Sequence, residues 1–432
     1  MSAHVICIAS GSGIPIFSRK KGNLENFPFS VIGSLNGVHM FTKSLSITLL
    51  NTLMDDYCVV WKEYFESILI IGISSGCTKD ALEKLLLSVF NAIMLILGVN
   101  EVRSLKNVEK IKRELRVIYP VIDRLLDCLD CGDSHSKYCS DLISLAEVIL
   151  CNENHQIKIM LDTYTENISS AYTCILIHGK IAVATEEWWD LHPEELKLLA
   201  FLASSDSKSN IKDVPVFLPY KSPKTRYRLI TCSPMPYMHI CCLANQQHSL
   251  NEIERSAINC FNTNLEVLNS AIQCFPRNIP ESLQLDLGVL GLLLLNKNRG
   301  KYLISTIPSS ADKKRICSYS HRSDILRTFF YRSVLKFLHT KNNLHEYVKR
   351  ECLLNDEIDS SFDKKEIKSD ESYVSTVGTE TYWCSEYHKC YAIAVEENVL
   401  CLMYNSTVPT YAMKHIARKV LKAITCNKQL CW

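Results

Sequence analysis

Apolar positions along this chain switch between a period of two and a period of three to four, and the switch recurs three times. HVICIAS from His4 and IPIFSRK from Ile14 alternate like strands and flank a turn carrying Gly11 and Gly13, which predicts a β-hairpin. PFSVIGSLNGVHMF predicts a helix, and LSITLL, YCVVWKEY and SILIIGISS predict three strands between polar turns. From Thr78, a candidate N-cap, Leu82, Leu85, Val89, Ile93 and Ile96 keep helical spacing up to Gly98. Asn107 caps a further helix with Val108, Ile111, Leu115, Ile118, Ile122 and Leu125 on one face and a kink at Pro120. The unit reads ββαβββαα.

After a looser stretch, taken as a connector, the order restarts. YTCILIH, Gly179 and IAVAT predict a tight hairpin, and HPEELKLLAFLA a helix with Pro193 in its first turn. Strand-like VPVFLP, YRLITC and YMHICCLA follow. Ser249 and Glu252 then form a capping box ahead of Ile253, Ala257, Phe261, Leu265 and Leu268. A third round opens with LDLGVLGLLLL and KYLISTIP around the basic turn NKNRG, and Ser323 is read as the cap of a helix using Leu326, Phe329, Phe330, Val334, Phe337 and Leu338. TYWCSEY, CYAIAVEE and VLCLMYN complete the strands, and Pro409 introduces a last helix with Ile416, Val420 and Ile424.

The expected fold is therefore α/β, three units in series, each an antiparallel five-stranded sheet flanked by helices. The expected bounds are residues 1–127, a connector at 128–170, 171–275 and 283–432. A chain of 432 residues fits such a division, because single cores rarely organise more than about 250–300 residues. The third unit carries a polar insertion at about 343–372, within which Asp356–Glu371 holds seven acids and three lysines.

Composition narrows the function. A net charge of +2 gives no overall field for nucleic acid, so none is expected as a partner. The twenty cysteines are spread along the chain with no secretory leader recognisable ahead of them, which predicts reduced cytosolic thiols acting as small buried hydrophobes. The apolar run Leu85–Asn100 is shorter than the ~20 residues a spanning helix needs, so a buried core helix is expected.

The element order resembles the longin (roadblock-like) domain, and three in series resemble the tri-longin subunits of Rab guanine-nucleotide exchange factors. Within these the chain is similar to the Fuzzy family of planar-cell-polarity effectors. The strings that carry the resemblance are Pro28–Phe41, VVWKEYFESILIIGISS at Val59–Ser75, LLLSVFNAIMLILG at Leu85–Gly98, NVEKIKRELR at Asn107–Arg116 and GKIAVATEEWW at Gly179–Trp189. The resemblance implies a heterodimer with an Inturned-like longin protein that activates a Rab-type small GTPase. A WD-repeat planar-polarity effector would complete the ciliogenesis complex. It also implies a cytoplasmic location at the ciliary base and cytoskeleton, no cofactor and no covalent catalysis. A non-catalytic adaptor of the same complex is the competing class.

Several constellations bear on chemistry. Gly72-Ile-Ser74-Ser-Gly76 spells a nucleophile elbow, which makes a serine hydrolase using Ser74 the remote alternative; a glycine-bearing turn leading into a helix is the simpler reading. Cys128, Cys131, His135 and Cys139 lack a second closely spaced pair, so no metal site is expected. No GxxxxGK[ST] run is present, so a nucleotide-binding GTPase has to be a partner. For partner contact the candidates are Ser34, Asn36, Gly37 and His39, where small residues give low relief among Val31, Leu35, Val38 and Met40, with Trp61 and Lys62 on a neighbouring strand. Arg322, Arg332 and Lys336, in a basic stretch that also holds Lys313, Lys314, Arg315 and Arg327, form a candidate patch for an anionic membrane or an acidic partner.

The polar insertion yields a first test. Ordering a residue costs roughly 1–2 kcal/mol, and Asp356–Glu371 has too few apolar side chains to offset it. Limited proteolysis is expected to cut there first; amides protected from exchange across the segment would contradict this.

Overall fold

The computed structural model describes residues 2–22, 27–54, 57–129, 142, 144–205, 210–244, 249–306, 319–334 and 379–432. In the first unit β1 (Ser2–Ala9) and β2 (Pro15–Lys21) form the expected hairpin, followed by helix α1 (Phe29–Ser44). Strands β3 (Asn51–Leu53), β4 (Cys58–Tyr64) and β5 (Ile68–Ser75) complete an antiparallel sheet in the order β2-β1-β5-β4-β3. LSITLL is not a strand; its residues form the turn and extended loop before the short β3.

Helix α2 (Lys79–Arg103) starts at Thr78, whose side chain accepts from the Ala81 amide. It is interrupted at Gly98, where φ is 70° and a β-carbon would lie 3.0 Å from the Phe217 ring. Glycine is needed there both for the left-handed backbone and for the approach of that ring. Asn107 caps α3 (Val108–Glu114), and a 3-10 turn joins it to α4 (Tyr119–Asp127), with Pro120 in the first turn.

The second unit departs from expectation at its start. Residues 154–168, inside the supposed connector, form α5 (Asn154–Ile168), whose Ile157, Leu161, Tyr164 and Ile168 are buried against the second sheet. That sheet consists of β7 (Thr173–Ile177), β8 (Lys180–Ala184), β9 (Ile211–Leu218), β10 (Ser222–Met235) and β11 (Met238–Ala244), in the order β8-β7-β11-β10-β9. A short β6 (Ala146–Glu147) precedes α5, and α6 (Glu186–Trp189) and α7 (Pro193–Ala203) follow β8. The capping box at Ser249 and Glu252 opens α8 (Leu250–Phe261), after which comes α9 (Leu265–Ile272). Leu265 is exposed and does not continue the buried stripe.

The third unit contains β12 (Val289–Asn296), β13 (Lys301–Thr306), α10 (Tyr319–Phe329), β14 (Glu380–Cys384), β15 (His388–Val395), β16 (Asn398–Asn405) and α11 (Thr410–Thr425). Ser323 lies inside α10 and is not its cap. Phe337, Leu338 and the acidic insertion lie outside the described residues. The sheet order is β14-β15-β16-β12-β13-β6, so this sheet gains a sixth strand, parallel to β13, from the supposed connector.

The three sheets share one core. Val5, Val60 and Ile70 of the first sheet, Leu229 and Cys241 of the second, and Leu292 and Leu402 of the third belong to a single buried apolar cluster. Helix α2 lies between the first sheet and β9 and β10 of the second. It is apolar and long enough to cross a membrane by composition alone, and here it is buried between two sheets. Asn91, in mid-helix, donates to the Tyr220 hydroxyl at 2.9 Å, which satisfies a buried amide at that interface.

Residues 146–149 stitch the second and third sheets together. The Ala146 and Val148 amides donate to the carbonyls of Gly300 and Tyr302 at 3.0 and 2.9 Å, and the Ile149 amide donates to Ile181 on the β8 edge at 3.0 Å. Glu147, in the middle of this segment, pairs with Lys180. Burial alone raises its pKa, but Lys180, with Arg327 and Lys197 farther off, outweighs burial and holds the carboxyl below its ordinary value. A depressed carboxylate contributes stability above its unfolded pKa and loses it as pH falls through the folded one. Glu147→Gln is expected to cost about 1–3 kcal/mol at pH 7 and to lessen the loss of stability below about pH 4.5. Urea titrations from pH 7 to 3 measure both; an acid limb unchanged by the substitution would show that Glu147 is not a source of the pH dependence.

Candidate functional site

The face of α1 turned toward the first sheet is narrow. Ile32 and His39 are buried, and Phe27, Leu35 and Leu49 pack against Ile6, Ile8, Val59, Trp61, Leu69, Ile71 and Ile73. The other face is open. Eleven of the 24 exposed large apolar side chains among the described residues fall between Phe29 and Tyr57. On α1 itself Phe29 is 69 % exposed, Val38 51 % and Phe41 65 %; Ile47, Leu50 and Leu53 carry the surface on to the short edge strand β3. Helical spacing sets Gly33, Ser34, Gly37 and Ser44 along the centre of this face with Phe41 standing among them, Phe29 and Met40 on one margin and Val31, Val38 and Leu45 on the other. The result is a shallow apolar trough beside an edge strand, the relief against which another helix or strand packs.

The candidate residues do not all meet here. Ser34 is exposed and its hydroxyl bonds back to the Ser30 carbonyl at 3.0 Å. Gly37 is exposed, with nothing within 4 Å of an added β-carbon. Asn36 turns inward, its amide against the β1–β2 turn at Gly13, where φ is +67°. His39 is buried, with Nε2 3.5 Å from Glu63, which also bonds Lys43 at 2.9 Å. Burial raises the Glu63 pKa, but the hydrogen bond from Lys43 and the surrounding positive groups hold it below its ordinary value. Trp61 is buried beneath α1. Lys62 points to the opposite side of the sheet and pairs with Glu83 of α2 at 3.5 Å. His4, also under α1, stacks on Phe27 at 4.8 Å; burial, with Lys20, lowers its pKa to about 4, so it is neutral at pH 7.

Ser74 sits within β5, paired to Ala3 on one side and Cys58 on the other, and is fully buried. A β-carbon on Gly72 would come within 2.9 Å of Leu82 and Leu86, and Gly76 has φ +81°. The two glycines serve helix approach and chain reversal, and the Ser74 side chain is enclosed within the sheet.

Comparison with known proteins agrees with this architecture. The family models described as the first, second and third longin domains of FUZ, MON1 and HPS1 match residues 3–125, 168–262 and 288–428. The chain is 32 % identical over 435 aligned residues to the protein fuzzy homolog of Xenopus tropicalis, covering 98 % of each chain. It is 34 % identical to that of Mus musculus, over 76 % of this chain and 78 % of the relative. The chain belongs to the Fuzzy family of tri-longin proteins.

In this family member the candidate basic patch of the third unit is described only in part. Arg322 is buried, Arg332 is exposed, and Lys336, like Lys313, Lys314 and Arg315, lies outside the described residues. Cys131, His135 and Cys139 also lie outside them. Among the described residues no three His, Cys, Asp or Glu side chains are grouped to hold a metal, and the sixteen described cysteines are free thiols.

What sequence reasoning missed is the pair of exposed aromatic residues on α1, Phe29 and Phe41, and the loop after it with Ile47, Leu50 and Leu53. Polar and apolar residues are scattered around α1, so no period says which face points inward. Val38→Asp with Phe41→Asp is expected to change stability by no more than about 0.5 kcal/mol each and to reduce binding of an apolar dye. Urea unfolding and dye fluorescence check both; a loss above about 2 kcal/mol would assign this face to the core.

Proposed function

We propose that the chain is one subunit of a guanine-nucleotide exchange factor for a Rab-type GTPase, paired through its first unit with an Inturned-like longin protein. The apolar trough of α1 and its continuation to β3 carry this reading. An exposed apolar surface of this extent is costly on a solitary subunit and is removed from water when a partner covers it. In the proposed assembly a WD-repeat effector joins the pair, which works in ciliary vesicle trafficking at the ciliary base and cytoskeleton.

Exchange of this kind needs no acid, base or metal from the exchange factor. The pair binds the nucleotide-free GTPase more tightly than the nucleotide-bound form, and by linkage it weakens nucleotide binding to the same degree. Lowering the barrier to release by ~4 kcal/mol accelerates it about a thousandfold, an amount that displacement of the GTPase switch regions by a broad contact supplies.

The isolated chain is expected to leave GDP release near its intrinsic rate, and the co-purified pair to accelerate it for one member of a Rab panel. Gly37→Trp, which the open space at Gly37 accommodates, and Phe41→Asp should each weaken pairing and lower that acceleration at least about tenfold. If the intact pair accelerates release from no Rab protein, the chain is a structural adaptor. If the pair is active and both variants match the wild type, pairing lies elsewhere.

A further inference from the structure

Two thiols meet where the second unit begins and ends. Residues 149–153 lead from the stitch into α5, and residues 273–280 lead from α9 toward the third unit. These segments, 120 residues apart in sequence, run side by side. The Leu150 amide donates to the Asn278 carbonyl at 3.0 Å, and the Asn278 side chain donates to the Ile304 carbonyl of β13 at 2.9 Å. Across the same contact the Cys274 thiol donates to the Leu150 carbonyl at 3.0 Å, and the Cys151 thiol donates to the Ala271 carbonyl at 3.4 Å. Cys151 also lies within hydrogen-bonding reach of Cys274. Cys151 is fully buried, whereas Cys274 is half-buried between the exposed Gln273 and Phe275.

We propose that Cys274 and Cys151 are a reversible oxidation site, in which hydrogen peroxide converts the pair to a disulfide that locks the two ends of the second unit together. A cysteine that serves only as a small buried hydrophobe needs no sulfur neighbour and no access. Cys174 and Cys241 are also hydrogen-bonded neighbours, across β7 and β11, but both are fully buried. Of the two pairs, only Cys151 and Cys274 join an accessible sulfur to a buried one. The hydrogen bond to Cys274, with burial, raises the Cys151 pKa and keeps it a neutral thiol at pH 7, so Cys274 is the sulfur that meets peroxide first. In that step a sulfur–oxygen bond forms on Cys274, the peroxide O–O bond breaks, and one water leaves with the thiol proton. The Cys151 sulfur then attacks the sulfenic sulfur: the S–S bond forms, the S–O bond breaks, and the hydroxyl departs as a second water with the Cys151 proton. Two thiols and one peroxide give one disulfide and two waters, and a cellular dithiol reverses the change. The bond closes a loop of more than 120 residues, which removes freedom from the unfolded chain. Because Leu150 and Asn278 lie on the same two segments, it also fixes the contact that ties the second unit to β13.

The test uses the full chain, reduced, then treated with about one to ten equivalents of hydrogen peroxide, alkylated and digested. Mass spectrometry is expected to find a peptide linked through Cys151 and Cys274 as the first disulfide product, removed by dithiothreitol. The thermal midpoint of the linked chain is expected to rise by about 3 °C or more. Cys151→Ser should strand Cys274 as the sulfenic acid and raise its labelling by dimedone at least about tenfold. Mapping of the unaltered chain decides the matter even where that variant folds poorly. Sulfinic acid at Cys274 without a linked peptide would overturn the proposal, as would an unreacted Cys274 at doses that oxidise the exposed Cys384 and Cys426. A linked chain with an unchanged midpoint would overturn the lock.

Discussion

The burial of α2 on both sides is the constraint from which the rest of the architecture follows. An amphipathic helix needs one sheet to cover its apolar stripe; a helix that is apolar all round needs two. Leu82, Leu85 and Leu86 lie under β4 and β5 of the first sheet, while Gly98 admits Phe217 of the second. On the α2 side the first two units therefore share a core, while the opposite face of the second sheet closes its own with α5 and α8. The cluster that begins at α2 runs on through α7 to the sheet face beneath α11, which makes three structural repeats one hydrophobic body.

A shared core sets which surfaces are left for other molecules. On the first unit the α2 side of the sheet is used internally, so only the α1 side faces outward. There the helix is covered along one narrow strip and bare elsewhere. Two residues in this region able to carry charge are accounted for: Lys43 pairs with Glu63, and His4 is held neutral by burial. The outward surface is thereby left to shape and apolar area.

Much of the fold was legible because period and capping agreed. Thr78, Asn107 and Ser249 all cap the helices read from them, since a short polar side chain at the end of an apolar run has few other uses. The parts that were not legible share a physical reason. Strand β6 is two residues long, and its place is set by hydrogen bonds to two distant sheet edges, which leave no local pattern. Helix α5 has its Ile157, Leu161, Tyr164 and Ile168 at proper spacing, but His155, Gln156 and Lys158 dilute the stripe. Ser323 is the right residue type for a cap in a helix that starts one turn earlier. At the candidate site the small residues Ser34 and Gly37 were found by their size, whereas Asn36, His39 and Trp61 turned inward because tertiary packing overrides any reading of residue type alone.

The stitch at 146–149 also bears on how the protein is made. Its partner on one side, β8, emerges from the ribosome soon after it, but its partner on the other, β13, is synthesised only after the entire second unit. Until then the segment has one open edge, and the apolar face of the second unit that α2 only partly covers stays wet. Translation proceeds at roughly 5–20 residues per second, so this half-finished state lasts for many seconds. Between the completion of α9 and the appearance of β13 the nascent chain therefore carries an unpaired strand edge, for a time fixed by topology and not by the stability of the finished molecule.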